Sequence, residues 1–392
     1  MKVIVLGSTS KTAYALYPKL ISKVDSIKSY WFSYSEQPQW FKDSEWATID
    51  YNDLDSISLK IKDLQPNVVI NLAAYTNVDG CEDDKFGSHQ INYELPKMLS
   101  ELSEEISYRF IHISTDYIFD GQEGLYEIED NPSVENIGWY ALSKRDSEQE
   151  VLKHNGVVIR TNVLYDSGEY KESFLTWLKN KIKSNEEVSI VFDQFNNPTL
   201  TVDLAETIVK LIDSPLQGII HTGGKDWMSR WELAQVYSLS LNLDTNLSLL
   251  KATNTSSLHQ KSPRPKFGGL SIVKSENLLD MKFSGIYDFI LENSELDKES
   301  IHFTLLQRLI KILRILSSDM KKKVFIDIDR NAHGTISIFI TNTKIWSELE
   351  IGKSSYSGML YTYDSTNLNL VTGDVYDDDG IIKFINALEV IS

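Results

Sequence analysis

Short, continuous runs of apolar residues recur through the first 294 residues of the chain. Residues 3–6, 67–71 and 110–113 are such runs, and stretches with the spacing of amphipathic helices lie between them. Apolar runs without alternation are typical of strands that are buried on both faces of a parallel sheet. Because helices and strands alternate, the pattern predicts an α/β fold with a doubly wound parallel sheet.

The pattern changes after residue 294. Residues 301–316 carry apolar side chains at helical spacing with basic residues between them, which predicts an amphipathic helix. We favour a helix that packs against protein or forms a dimer contact, with a membrane-surface helix as the alternative. This segment belongs to a predicted helical connector over 295–320.

The last part of the chain alternates between apolar and polar residues, as antiparallel strands do. We therefore predict a small α+β domain over 321–392 and assign it no function. Its predicted strands and closing helix are 324–328, 335–340, 359–363, 368–371 and 381–388.

Composition and charge exclude several classes of protein. The 392 residues are 42% hydrophobic and 24% charged, which fits a globular protein of two or three domains. A formal net charge of −17 argues against a nucleic-acid partner. We find no signal peptide and no apolar run of the roughly 18–20 residues that a membrane span needs. A single cysteine, Cys81, suits the reducing cytoplasm and is interpreted as structural.

No metal site is predicted. Asp377, Asp378 and Asp379 are adjacent rather than spaced as in a calcium loop, which favours a solvated turn. His333 is a lone histidine in a predicted loop without a metal-ligand partner nearby in the sequence.

The turn after the first strand has part of a dinucleotide-binding pattern. A G-x-x-G-x-x-G pattern would place glycines at positions 7, 10 and 13, where the chain has Gly7, Ser10 and Ala13. The middle glycine normally lets the backbone approach a pyrophosphate, but helix N–H groups and the Ser10 hydroxyl can also bind phosphate. A strand-to-helix turn that binds nothing is an equal alternative on this segment alone.

The second strand ends at Ser33 and Tyr34, where an acidic residue would select NAD and a basic residue NADP. Neither is present, and Lys11 could reach a 2′-phosphate. The sequence therefore favours NADPH, with NADH open.

A hydroxyl, a tyrosine and a lysine form the candidate catalytic set. Thr115 ends the strand that starts near 110, and Tyr140 and Lys144 lie one helical turn apart. Tyrosine titrates near pH 10, and a neighbouring ammonium is expected to lower this pKa. The same Tyr–Lys spacing occurs at Tyr93 and Lys97, but only Tyr140 follows a strand end that carries hydroxyls.

Several segments together resemble a known family, the extended short-chain dehydrogenase/reductases, and most closely its dTDP-4-dehydrorhamnose reductase group. The similar segments span about residues 1–294. They are 71–79, 112–121, 139–144, 160–161, 193–199, 262–265 and 270–278.

The resemblance implies a Rossmann-type NAD(P)-binding reductase domain over 1–294, with a substrate subdomain mainly from segments within 161–294. It implies NADPH- or NADH-dependent reduction of the 4-keto group of a nucleotide-diphosphate deoxysugar. The implied catalytic residues are Thr115, Tyr140 and Lys144. The implied cofactor contacts are Gly7, Ser10, Lys11, Thr12, Asp50, Tyr51, Ala74, Tyr75, Tyr140 and Lys144, and the implied substrate contacts are Thr76, Val78, Tyr117, Gln194 and Arg264.

This chain departs from the family pattern at Ser10, at Val163, where the group often has a tryptophan, and in everything beyond about residue 295. The main alternative is therefore a non-catalytic nucleotide-binding regulatory or scaffold subunit, because the family includes regulatory members such as the methionine adenosyltransferase beta subunit. An epimerase or dehydratase is less favoured, because Asp116 is the one obvious additional acid–base residue beside Thr115. We expect a cytoplasmic enzyme that could form a homodimer.

Overall fold

The computed structural model describes residues 1–23, 25–42, 44–133, 135, 137–241, 247–316, 318–331, 334–352, 355–362, 368–374 and 378–391. His333 and Asp377 lie outside the described residues. The described chain divides into two compact units. Unit 1 comprises Met1–Ser173, Asn196–Lys225 and Leu258–Ser284, and unit 2 comprises Phe174–Phe195, Asp226–Ser257 and Gly285–Ser392.

The strands and helices have the following bounds in chain order. The strands are β1 (Lys2–Leu6), β2 (Lys28–Ser33), β3 (Glu45–Thr48), β4 (Val68–Asn71), β5 (Arg109–Thr115), β6 (Val157–Thr161), β7 (Leu164–Tyr165), β8 (Val188–Val191), β9 (Phe195–Asn196), β10 (Thr199–Leu200), β11 (Gly218–His221), β12 (Met228–Ser229), β13 (Leu250–Thr253), β14 (Phe325–Arg330), β15 (Ile336–Thr341), β16 (Ile345–Ile351), β17 (Ser355–Thr362) and β18 (Leu368–Asp374). The α-helices are α1 (Lys11–Ile21), α2 (Leu54–Leu64), α3 (Val78–Asp83), α4 (Lys85–His89), α5 (Leu95–Ile106), α6 (Trp139–Lys153), α7 (Phe174–Lys183), α8 (Thr201–Ile212), α9 (Arg230–Ser240), α10 (Val273–Leu279), α11 (Ile286–Glu292), α12 (Ile301–Ile315), α13 (Ser318–Lys323) and α14 (Asp378–Ile391).

Unit 1 is built on a seven-stranded sheet in the order β11-β6-β5-β4-β1-β2-β3. Every neighbouring pair in this sheet is parallel. The order reverses at β1, and ligands of such sheets bind in the crevice at that switch point, outside the carboxyl ends of the strands. The predicted Rossmann-type, doubly wound fold is therefore confirmed.

Strand β1 shows why its sequence is apolar without alternation. Val3 and Val5 belong to one buried cluster, which includes residues of α1 and α8. Ile4 and Leu6 belong to a second cluster, which includes residues of α2 and α5. All four side chains have no exposed surface, because helices cover both faces of the sheet.

The C-terminal part of unit 2 contains a five-stranded sheet in the order β14-β15-β16-β17-β18. Its neighbouring strands are antiparallel and consecutive in the chain, as predicted for a small α+β domain. The amphipathic helix predicted over 301–316 is α12, which begins after the N-cap Ser300 and ends at Ile315.

Strand β16 is absent from the sequence-based prediction. Its buried positions are Ile345, Ser347, Leu349 and Ile351, with half-buried residues between them. This is the period of two that marks a half-buried strand, so the signal was present in the sequence.

Helix α9 packs against the C-terminal sheet within unit 2. The Gln235 side chain donates to the Ile328 carbonyl at 2.8 Å and accepts the Ile328 N–H at 3.2 Å. A domain boundary near residue 294 is predicted from the sequence, whereas unit 2 groups 226–257 with 285–392. That boundary stays a prediction.

Candidate active site

A pocket of about 490 Å³ lies at the carboxyl ends of β1, β4 and β5 in unit 1. It brings together most of the predicted cofactor and catalytic residues. The predicted residues that line it are Gly7, Ser10, Lys11, Thr12, Tyr51, Ala74, Thr76, Thr115, Tyr140 and Lys144. Asp50, Tyr75, Val78, Tyr117 and Arg264 do not line this pocket, and Gln194 belongs to unit 2.

Gly7 fixes the first turn of the pocket. Its φ is +79°, and a Cβ at this position would lie 2.5 Å from the Ala73 nitrogen. The Gly7 N–H donates to the Phe32 carbonyl at 3.0 Å and to the Tyr51 hydroxyl at 2.8 Å. A side chain at residue 7 is therefore excluded by both conformation and space. The Tyr51 hydroxyl stabilises the turn by accepting the Gly7 N–H.

Ser10, which replaces the middle glycine, acts as the N-cap of α1. Its Oγ accepts the Ala13 N–H at 3.1 Å, and its backbone is extended, with φ −76° and ψ 161°. A serine N-cap stabilises a helix by about 0.5–2 kcal/mol relative to alanine. Because Oγ accepts in this bond, its own proton can still be donated to a phosphate.

Residues 166–171 cover the same turn, a contact that is not among the predictions from the sequence. Lys11 Nζ lies 3.5 Å from the Asp166 carboxylate, and the Tyr170 hydroxyl donates to the Thr9 carbonyl at 3.1 Å. Burial lowers the pKa of Lys11, and the Asp166 carboxylate opposes that shift. Lys171 also lines the pocket, so two cationic side chains face this end of it.

Thr115 and Tyr140 face the pocket at the end of β5 and the start of α6. Thr115 Oγ1 accepts the Tyr117 N–H at 3.2 Å, and the Tyr117 and Tyr140 rings meet edge to face with centroids 6.1 Å apart. Burial raises the pKa of Tyr140, and Tyr117 and Cys81 add to that shift. The Tyr140 hydroxyl therefore carries its proton at neutral pH.

Asp116, beside Thr115, is fully buried. Burial raises its pKa to about 6, although the Gly269 N–H donates to the carboxylate at 3.0 Å and opposes the shift. The carboxylate is committed to a backbone N–H of the loop at 269, which gives it a structural role.

Lys144 is held by β5. Its Nζ donates to the Ile113 carbonyl at 2.6 Å and lies 3.0 Å from His112 Nε2. Burial lowers the pKa of Lys144 to about 7, although the Glu148 carboxylate opposes that shift. Burial is therefore the main cause of the shift at both residues, and the pKa of Tyr140 is raised. That the Lys144 ammonium opposes this shift stays a prediction.

Two buried residues that were not predicted for the site, His112 and Asn71, form a hydrogen-bond chain to this lysine. His112 is fully buried and lies 3.1 Å from Asn71 through Nδ1 and 3.2 Å from the Ser147 hydroxyl through Nε2. Burial, followed by the charge of Lys144, holds the pKa of His112 well below its usual value. The sequence did contain a signal for them, because Asn71 and His112 are polar residues within the apolar runs of β4 and β5.

A second buried asparagine positions the loop after β4. Asn92 lies in a π-helical turn, Gln90–Glu94, between α4 and α5. Its side chain accepts the Tyr75 N–H at 2.8 Å and donates to the Tyr75 carbonyl at 3.1 Å. Tyr75 is thereby fixed through its backbone, next to the pocket residues Ala74 and Thr76.

The other predicted contacts have partners outside the pocket. Asp50 is exposed and accepts the Asn52 N–H at 2.9 Å. Arg264 pairs with Asp79 at 3.0 Å, on α3, the helix that begins at Val78. In unit 2, the Gln194 amide donates to the Thr255 hydroxyl at 3.1 Å. Their roles stay predictions.

The profile of the RmlD substrate binding domain family matches residues 1–285. A probable dTDP-4,6-dihydroxy-2-methyloxan-3-one 4-ketoreductase of Streptomyces antibioticus is 31% identical over 57% of this chain and 77% of its own length. The dTDP-4-dehydrorhamnose reductase of Mycobacterium tuberculosis (strain CDC 1551 / Oshkosh) is 31% identical over 52% of this chain and 68% of its own length.

Among solved structures, a dTDP-4-dehydrorhamnose reductase of Bacillus anthracis in complex with NADP is similar with a TM-score of 0.64. It is 25% identical, and the match covers 74% of this chain and 97% of the other. Within the part of the chain that the structure describes, no helix is long and apolar enough to cross a membrane.

Proposed function

The chain belongs to the RmlD substrate binding domain family, and we propose that it reduces the 4-keto group of a nucleotide-diphosphate deoxysugar with NADPH or NADH. It is an NAD(P)-dependent oxidoreductase, as its reductase relatives are. The observation that carries the proposal is one pocket that contains the Gly7 turn together with Thr115, Tyr140 and Lys144.

The pocket fits a dinucleotide. Gly7 leaves the backbone open where a Cβ would clash, and the first turn of α1 directs N–H groups to the same place. Lys11 and Lys171 add positive charge near that turn. A nicotinamide cofactor bound there supplies the hydride that reduces the carbonyl carbon.

The chain's own residues supply the proton and the orientation. Tyr140 keeps its proton at neutral pH because burial raises its pKa, so it can donate to the oxygen that becomes an alcohol. The Thr115 hydroxyl can hold that oxygen, since its contact with Asp116 is long at 3.5 Å. Lys144 is fixed by the Ile113 carbonyl and can hold a ribose hydroxyl from the floor of the pocket.

The direct test is turnover. Purified protein is mixed with NADPH and dTDP-4-keto-6-deoxy-mannose, and the nicotinamide absorbance is followed. We expect turnover, and Tyr140→Phe is expected to lower kcat by about 10²–10⁴-fold, the usual contribution of a general acid. Tyr93→Phe is the matched control, because Tyr93 has the same spacing to a lysine but stacks on His89 with ring centroids 4.8 Å apart.

Cofactor binding without turnover of this or related keto sugars would favour the regulatory-subunit alternative. Calorimetry with NADPH and NADH separates the two cases, because an enzyme must bind the hydride donor. The same titration measures the preference between the two cofactors, which we propose favours NADPH because of Lys11. We further propose that the protein acts in the cytoplasm and forms a homodimer, which cell fractionation and sedimentation test.

A further inference from the structure

A chain of buried hydrogen bonds runs from β4 through β5 to α6. Asn71 and His112 are register partners on adjacent parallel strands, so their side chains meet at the carboxyl end of the sheet. Asn71 and His112 have no exposed surface, and Lys144 is 2% exposed. Which atom of this hydrogen-bond network donates and which accepts is therefore determined by the neighbouring protein groups rather than by water.

The orientation of the Asn71 amide is fixed first. Its Oδ1 accepts the Ala73 N–H at 3.1 Å, so its NH₂ group is the part that faces His112 Nδ1, at 3.1 Å. A backbone N–H cannot accept, so a flipped amide would set two donors against each other. His112 Nδ1 must then be an acceptor, which puts the proton of the neutral ring on Nε2.

The other side of the ring agrees with this assignment. The Ser147 hydroxyl donates to the Lys144 carbonyl at 2.7 Å, so its oxygen lone pair is available to the His112 Nε2–H at 3.2 Å. The same Nε2 lies 3.0 Å from Lys144 Nζ. A ring N–H at this distance faces the lone pair of a neutral amine favourably and the protons of an ammonium unfavourably.

We propose that Asn71 and His112 are positioning residues of the active site, which fix Lys144 and present an N–H donor to its amine. The inference rests on the proposed function in one respect, namely that Lys144 supports Tyr140 during reduction. The titratable groups that face Lys144 are His112 from β5 and Glu148 from α6, and Glu148 is paired with Arg160 at 2.9 Å. Tyr140, one turn earlier on α6, lines the same pocket. The N–H donor of His112 therefore acts in the same direction as burial and favours the neutral amine of Lys144.

The first test reads the tautomer directly. Imidazole ¹⁵N shifts distinguish a protonated ring nitrogen from an unprotonated one, and His112→Gln assigns the signal among the seven histidines. We expect His112 to stay neutral with its proton on Nε2 between about pH 5 and 8, the interval in which an ordinary histidine titrates. A proton on Nδ1, or an imidazolium in this range, would overturn the proposal. This measurement needs no turnover, so it stands even if the proposed reaction fails.

The second test reverses the donor. Asn71→Asp places a carboxylate next to His112 Nδ1. The ring proton is then expected on Nδ1, so that the Nε2 lone pair faces Lys144. The Lys144 limb of the kcat–pH profile is then expected to move upward by about one to three pH units, the shift that a new opposite charge produces. An unmoved limb with a changed ¹⁵N tautomer would overturn the link to Lys144.

Two further variants separate positioning from simple packing. His112→Gln can keep an N–H donor toward Lys144 and should retain the wild-type limb, whereas His112→Met removes the donor and should shift it. Ser143→Ala is the matched control for Ser147→Ala, because both hydroxyls bond a carbonyl one turn back on α6 but only Ser147 contacts His112. Equal shifts of the Lys144 limb in His112→Met and His112→Gln would contradict the proposal. So would equal shifts in Ser147→Ala and Ser143→Ala.

Discussion

Two lysines of this protein are almost equally buried and have opposite surroundings. Lys144 of unit 1 is 2% exposed and contacts a carbonyl and a histidine ring. Lys321 of unit 2 is 3% exposed and donates to the Glu232 carboxylate at 2.8 Å and to the Trp227 carbonyl at 3.2 Å. A buried amine paired with a carboxylate is part of the structure, whereas one without that pairing has a pKa in the range that catalysis can use.

The largest expected difference between the two lysines is in stability. Lys321→Met removes the cation that pairs with the fully buried Glu232, which keeps the Tyr287 hydroxyl as a donor, and we expect it to lower the free energy of unfolding by about 3–5 kcal/mol. Lys144→Met strands no carboxylate, so it should lose activity but not stability at neutral pH. Urea unfolding monitored by tryptophan fluorescence measures both variants.

The double variant Lys321→Met, Glu232→Gln is the control for this comparison, because it removes the stranded charge and should recover part of the loss. Equal losses from the two single methionine variants would break the comparison.

The second expected effect is the pH dependence of stability. Burial holds the pKa of folded Lys144 at about 7, whereas an unfolded lysine titrates near 10.4. Between these values the unfolded chain binds the proton more tightly, so this residue makes stability rise with pH by up to about 1.4 kcal/mol per unit. The contribution of Lys144 to the free energy of unfolding does not change with pH below its folded-state pKa. The increase with pH is complete above its unfolded-state pKa.

Comparing wild type with Lys144→Met at pH 7, 8 and 9 isolates this slope, because all other titrating groups are shared. A difference between the two proteins that does not change over this interval would show that Lys144 keeps an ordinary pKa in the folded state.

A smaller effect is expected from a neutral buried group of unit 2. Gln235→Leu removes the partner of the Ile328 N–H and carbonyl and should cost about 1–3 kcal/mol. The control is Gln307→Leu, an exposed glutamine on α12, which should stay within about 0.5 kcal/mol of wild type. Indistinguishable unfolding midpoints of the two variants would show that the Gln235 contacts contribute nothing net.

The smallest effect is expected from a lysine that is paired but not buried. Lys19 lies 2.7 Å from Glu206, with side-chain exposures of 28% and 40%. Lys19→Met should cost about 0.2–1 kcal/mol, and less in high salt. A loss as large as that of Lys321→Met would mean that pairing, not burial, decides the cost.

The parts of this molecule that follow from local sequence were predictable. Strand β1 was predicted from four consecutive apolar residues, which are buried on both faces of the sheet. Thr115 and Tyr140 were each predicted from the residues immediately around them, and both line the pocket. Strand β16 was equally local, and its alternation from Ile345 to Ile351 shows that it could have been predicted.

The remaining features depend on contacts between distant segments. Asn71 meets His112 across 41 residues, and only the register of β4 against β5 brings them together. Lys321 and Glu232 are 89 residues apart. Nothing near either residue in the sequence indicates its partner, because the pairing follows from how the helices and strands pack.

The same contact of Gln235 also bears on self-association. Strand β14 stands at the edge of its sheet, where unpaired N–H and carbonyl groups would be a template for a strand of another molecule. The Gln235 amide forms hydrogen bonds with the N–H and the carbonyl of Ile328, as a neighbouring strand would. Helix α9 thereby shields the Ile328 position of that edge, where a strand of another molecule would otherwise find a free donor and acceptor.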